Sequence, residues 1–212
     1  KKNNIEKFIF ISSAAVYGLG NRSIFKETDA CFPVSNYALS KYWGEQQTKL
    51  YYELYNLPTT SIRFFSVYGS PQIPKKGSHS WAVAIFGALA KKGKPITVFG
   101  DGNQVRDFTH VSDIAESVVL STEKESTNGK FFNVGTGKPT KINDIVEKIF
   151  QHVKPVPINY KPYPPGDPIG GHADTTLMKK LLDWEPEIKL DQGIEEYFDW
   201  LSNHEHIIPK WI

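Results

Sequence analysis

The sequence predicts an α/β fold, a doubly wound parallel sheet carrying a smaller α/β lobe, and three observations lead there. Phe8-Ile9-Phe10-Ile11 is an unbroken apolar run, the pattern of a central parallel strand covered on both faces. A long helical segment and a second apolar strand follow it, the succession that parallel crossovers require. Ser12 and Ser13 close the first strand, and the carboxyl ends of such strands are where open α/β sheets bind ligands.

The elements follow in order. Strand 8–13 leads through a loop to Ser35, and a helix is expected over about 36–56, stopped by Pro58. Its Tyr42, Trp43, Tyr51, Tyr52 and Tyr55 exceed what one core face needs. Strand 59–65 comes next, with Arg63 near its end, open to two readings: a group at the ligand edge or half of a structural ion pair. A loop of Pro, Lys and Gly over 70–77 precedes a helix over about 80–91. Strands 96–99 and 105–110 flank Gly100-Asp101-Gly102-Asn103, a hairpin-type turn signal. Ser112 is the expected cap of a helix over 113–123. A strand over 131–134, helices over 143–151, 177–182 and 192–203, and a Pro-rich irregular stretch over 155–168 complete the pattern. The sheet portion is assigned to about 1–66 and 107–134 and the lobe to about 67–106 and 135–212, interleaved along the chain.

Composition excludes several classes. At 212 residues and 40% hydrophobic the chain can bury a substantial core. A net charge of +2, without a long basic run, gives no footprint for nucleic acid. Cys31 is the single cysteine, which rules out an intrachain disulfide and suits a reducing, cytoplasmic setting. No apolar stretch has membrane-spanning length, and no His/Cys/carboxylate spacing suggests a metal.

The chemistry-bearing pair is Tyr37 and Lys41. Four residues apart on a helix, they share a face, and an ammonium beside a phenol favours the phenolate that a general base needs. With Ser13 at the neighbouring strand end, the set suggests hydride chemistry on an alcohol. Ser12, one residue earlier, alternates to the opposite strand face.

Four ordered segments, Ser-Ser-Ala-Ala-Val-Tyr-Gly at 12–18, Tyr-Ala-Leu-Ser-Lys at 37–41, Arg-Phe-Phe-Ser-Val-Tyr-Gly at 63–69 and Val-Arg-Asp-Phe-Thr-His-Val-Ser-Asp at 105–113, carry a resemblance. In order and spacing they resemble the extended short-chain dehydrogenases that modify nucleotide sugars, most closely the UDP-sugar 4-epimerases. The resemblance covers essentially the whole chain and implies a Rossmann-like fold with NAD as cofactor. It leaves NAD versus NADP open. It implies Tyr37 as base for the sugar 4-hydroxyl, Lys41 on the nicotinamide ribose, Ser13 on the same hydroxyl, and Ser12 and Phe65 beside the cofactor. For the nucleotide sugar it implies Ser66, Ser80 and Trp81, Phe99 against the uracil, Arg106 on the diphosphate and Asp167 on the uridine ribose. Arg106 is one of three arginines, and its guanidinium suits a diphosphate; a salt bridge to Asp107 or Asp113 is the competing reading. Pro164 departs from the Arg or Gln common in the family three residues before Asp167.

The same resemblance places Gly171 where related epimerases close the sugar pocket, implying room for a 2-acetamido or uronate substituent. The competing reading is a glycine needed for a tight turn. Ala14-Ala15 stand where related dehydratases carry Asp-Glu, which argues for redox at one carbon without elimination. The family also pairs the helix at 36–56 with its symmetry mate, so a homodimer is expected. No G-x-G-x-x-G phosphate loop occurs. The chain therefore reads as the C-terminal part of a longer protein, with a non-catalytic relative or a nucleotide-sugar reductase or dehydratase as alternatives.

Overall fold

The computed structural model describes residues 5–19, 23–76, 81–163 and 170–212. In chain order the strands and α-helices are β1 (Phe8–Ser13), β2 (Ile24–Phe25), α1 (Asn36–Tyr55), β3 (Thr59–Phe64), β4 (Ser66–Tyr68), α2 (Ala82–Lys91), β5 (Ile96–Phe99), β6 (Val105–Arg106), β7 (Phe108–His110), α3 (Val111–Glu123), β8 (Lys130–Val134), β9 (Thr140–Lys141), α4 (Ile142–Phe150), β10 (Ile158–Lys161), β11 (His172–Ala173), α5 (Thr176–Leu182) and α6 (Leu190–Asn203). The main sheet runs β1-β3-β8, all parallel, with Ile11 opposite Ile62 and Ile62 opposite Phe132.

Helices cover both faces, as a doubly wound sheet requires. On one face α1 lies so close to β1 that a Cβ on Gly44 would fall 2.0 Å from the Phe10 ring. On the other, Ile62, Phe132 and Val134 pack with Ile114 of α3 and with Met178, Leu181 and Leu182 of α5. So α5, expected within the lobe, belongs to the sheet core. A second core holds the lobe together, with Val83 and Phe86 of α2, Ile145 and Ile149 of α4, and Tyr197 and Leu201 of α6 packed over Ile96 and Val98 of β5.

Three local expectations change. First, the apolar run of β1 is not fully buried: Phe8 and Ile11 are 45% and 37% exposed, and β1 pairs only with β3 in the described sheet. Second, the turn at 100–103 forms, with Asp101 accepting from the Asn103 N–H at 2.9 Å, but its flanking strands do not make a hairpin. β5 pairs with β10, inside the stretch expected to be irregular, and β6 pairs with β9. The turn is instead fastened to α4, whose Asn143 N–H donates to Gly102 O, so distant partners override a local signal. Third, α3 is capped by His110, whose ring nitrogen accepts from the Ser112 N–H at 3.3 Å. Ser112 therefore sits inside the helix.

Candidate active site

The parallel strands end in a cleft of about 790 Å3 between sheet and lobe. It is lined by Ser12, Ser13, Tyr37, Phe65, Ser66, Trp81, Phe99, Arg106 and Gly171, which the structure brings together. Ser80 and Asp167 lie outside the described residues.

Ser13 ends β1, and its hydroxyl oxygen accepts from the Ala15 N–H at 3.2 Å, capping a single 3-10 turn at Ala14–Tyr17. That bond fixes the rotamer and leaves the hydroxyl proton to donate. The expected local cap thus exists, at a residue facing the cleft. Tyr37 opens α1, whose N-cap Ser35 accepts from the Ala38 N–H at 3.1 Å, and the phenol is 56% exposed. Lys41, one turn on, donates to Ile11 O at 2.8 Å and holds its Nζ 5.7 Å from the Tyr37 ring centroid. A backbone carbonyl of the strand thereby steers the ammonium to the tyrosine.

Ser12 requires a correction: it is 2% exposed and its hydroxyl donates to Glu45 Oε1 at 2.5 Å, so its side chain turns away from any cofactor. It belongs to a buried network that the sequence reading missed. Glu45 takes a two-pronged ion pair from Arg63, Nε to Oε1 at 2.8 Å and Nη2 to Oε2 at 2.7 Å. Arg63 also donates to the Tyr17 hydroxyl at 2.9 Å and to Cys31 Sγ at 3.4 Å, and Tyr17 donates to Asn133 Oδ1 at 2.7 Å. This settles Arg63 as half of an ion pair. Burial opposes its charge, but Glu45, together with the neighbouring Tyr17 and Cys31, outweighs burial and holds the guanidinium above its ordinary pKa. Burial pushes the Tyr17 phenol up, against the pull of Arg63. Burial likewise raises the Glu27 carboxyl, partly offset by the Asn133 N–H it accepts. Glu45 had a sequence signal: it lies one turn beyond Lys41 on the same helix face.

Arg106 donates to Val105 O at 2.9 Å and lines the cleft. Its two proposed carboxylate partners accept hydrogen bonds from other groups, nearly all of them backbone N–H. Asp107, 1% exposed, accepts from Thr136 N and Oγ1, Gly137 N and Ala173 N, and Asp113 accepts from Glu187 N and Ile188 N. Asp107 therefore ties the segments at 136–137 and 173 to the strand end that carries Arg106. Ser66 is held by its N–H to Asp107 O at 2.8 Å, and Phe65 leans on Phe25 with centroids 6.4 Å apart. Trp81, at the start of α2, has φ 72°, a left-handed conformation uncommon for a bulky residue.

Gly171 has φ 145° and donates to Val105 O, while Gly170 has φ 135° and its Cβ would lie 2.4 Å from that same oxygen. Both glycines have the positive φ that glycine adopts without steric cost, and Gly170 bridges to Val105 while Gly171 lines the cleft. Among the described residues no cluster of three His, Cys, Asp or Glu groups could hold a metal, and no helix is long and apolar enough to cross a membrane.

Parallel strands covered by helices on both faces and ending in a cleft define a doubly wound α/β fold. The family model described as GDP-mannose 4,6 dehydratase matches residues 1–197, and the chain belongs to that family. A UDP-glucuronate 4-epimerase of Thermodesulfobacterium geofontis is 30% identical over 99% of the chain. A UDP-N-acetylglucosamine 4-epimerase from Methanobrevibacter ruminantium, solved with UDP-N-acetylmuramic acid, superposes over 95% of the chain at 31% identity and TM-score 0.89. A UDP-glucuronic acid 4-epimerase from Bacillus cereus, solved with UDP-glucuronic acid and NAD, superposes over 96% at 29% identity and TM-score 0.88. The chain spans 64%, 64% and 63% of these relatives.

Proposed function

We propose that the full-length protein is a nucleotide-sugar 4-epimerase acting on UDP-sugars with tightly held NAD. The observation that carries this reading is the reacting corner of the cleft. It offers one phenol with an ammonium beside it, one serine hydroxyl, and then Ala14-Ala15, which can move no proton. Dehydration or decarboxylation needs a further acid or base there, whereas reversible oxidation at C4 needs only the tyrosine and a hydride acceptor. The donor set fits the nicotinamide ribose end of a dinucleotide: Lys41 is already drawn to the strand end by Ile11 O, and Phe65 offers a flat apolar wall. When bound, NAD supplies the reversible hydride acceptor.

Tyr37 takes the 4-hydroxyl proton and later returns it. Ser13 donates its uncommitted proton to the same oxygen. Arg106 and Trp81 hold the diphosphate, with Ser66 and Ser80 on substrate oxygens, Phe99 under the uracil and Asp167 on its ribose. Held only by its nucleotide, the 4-ketosugar is free to turn and take hydride on its other face. The exposed stripe Leu39, Trp43, Leu50 and Leu54 along α1 supports a homodimer. The test is proton NMR of the full-length protein with NAD and UDP-glucose, UDP-N-acetylglucosamine or UDP-glucuronate. Inversion at C4 without net cofactor reduction is expected; elimination, decarboxylation or net NAD(P)H consumption would replace the reading.

A further inference from the structure

The cleft carries a cation, Lys161, that the proposed chemistry does not use. Lys161 ends β10 and sits in register with Phe99, which ends β5. In-register residues of neighbouring parallel strands project to the same sheet face about 4.8 Å apart, and both line the cleft. The strand ends are locked by Gly100 N–H donating to Lys161 O at 2.7 Å.

The polar side chain of Gln104, which also lines the cleft, is committed elsewhere. Gln104, 7% exposed, donates its amide to Phe99 O at 2.7 Å and accepts from the Tyr163 hydroxyl at 3.2 Å. Gln104 therefore builds the wall rather than reading a ligand. The Lys161 ammonium has no hydrogen-bond or ion-pair partner among the described residues. Arg106, the diphosphate cation, lies on the far side of the 100–104 turn, on β6.

Resting on the UDP-sugar reading above, we infer that Lys161 is a nucleobase specificity residue, donating to a ring carbonyl oxygen of the base that lies on Phe99. An ammonium is a donor only, so it rewards the 4-carbonyl of uracil and repels the 4-amino group that cytosine presents at the same edge. A donor set against a donor is how sites built on hydrogen bonds reject close analogues.

The experiment is calorimetric titration of the full-length protein with UDP and with CDP, in wild type, Lys161→Met and Lys161→Arg. Lys161 is exposed at a strand end, so both variants should keep the wild-type circular dichroism. The wild type is expected to prefer UDP, and Lys161→Met to lose about tenfold in UDP affinity with CDP unchanged or improved, the weight of one charge-assisted hydrogen bond. Lys161→Arg should restore the preference. An unaltered UDP/CDP ratio in Lys161→Met, or an equal loss for both nucleotides as a phosphate contact would give, overturns the inference. Wild-type protein that binds neither nucleotide overturns the UDP-sugar reading itself.

Discussion

Along one face of α1 the side chains Tyr37, Lys41 and Glu45 stand one turn apart, yet the two ends of this stripe live in different media. Tyr37 is 56% exposed at the cleft, while Glu45 is 3% exposed and bound to Arg63 and Ser12. The exposed end has few protein contacts and keeps its polar groups for a ligand. The buried end spends every oxygen on the protein and ties α1 to β1 and β3. Position is thus set by the part that does no chemistry. Ser12 and Ser13 repeat the division one bond apart, since strand alternation sends one hydroxyl into the network and the other into the cleft.

The comparison can be broken at either end. Tyr37→Phe in the full-length enzyme should lower kcat by a factor on the order of 10² to 10⁴, the weight of a general base, with little change in unfolding midpoint. Near-normal turnover would remove Tyr37 from the chemistry. Glu45→Ala strands the Arg63 charge and should cost about 3–5 kcal/mol in urea unfolding. A loss below about 1 kcal/mol would mean that water reaches the guanidinium and that the network is not what orders α1.

The serine pair sharpens the contrast at smaller scale. Ser13→Ala should reduce kcat about tenfold or more, whereas Ser12→Ala should cost about 1 kcal/mol of stability and leave kcat within about twofold. Equal kinetic losses from both would contradict the division by strand face. The smallest effect is expected at Glu27. Its carboxyl is raised in the folded protein, so the stability linked to it is full below the ordinary carboxylate range and is lost as pH rises through the raised value. Glu27→Gln keeps an acceptor for the Asn133 N–H and should be as stable as wild type or slightly more so at pH 8. It should lose that margin by pH 4, and a margin that instead grows on acidification would reverse the assigned direction.

The main sheet and the order of helices were legible because apolar runs and caps are local and lengthy. The pair Tyr37 and Lys41 was legible because helix geometry converts spacing into proximity. What escaped was whatever depends on distant partners. Glu45 looks like any helical glutamate until Arg63, 18 residues later, is folded against it. Asp107 reads as a partner for its neighbour Arg106, and only the approach of Thr136, Gly137 and Ala173 turns it into a hub of backbone N–H groups. The turn at 100–103 shows the converse: its chemistry was read correctly, and the strands beside it still chose other partners.

The pairing of β2 with β11 carries a consequence for how the chain acquires its shape. Ile24 meets His172 and Phe25 meets Ala173, and Ala173 in turn reaches Asp107. An early segment must therefore wait for nearly the whole of the intervening chain before it can close. Loop closure over such distances slows folding, and on the ribosome β2 stays without its partner until the segment at 172–173 has emerged. A chain halted before residue 170 would leave β2 without its partner strand.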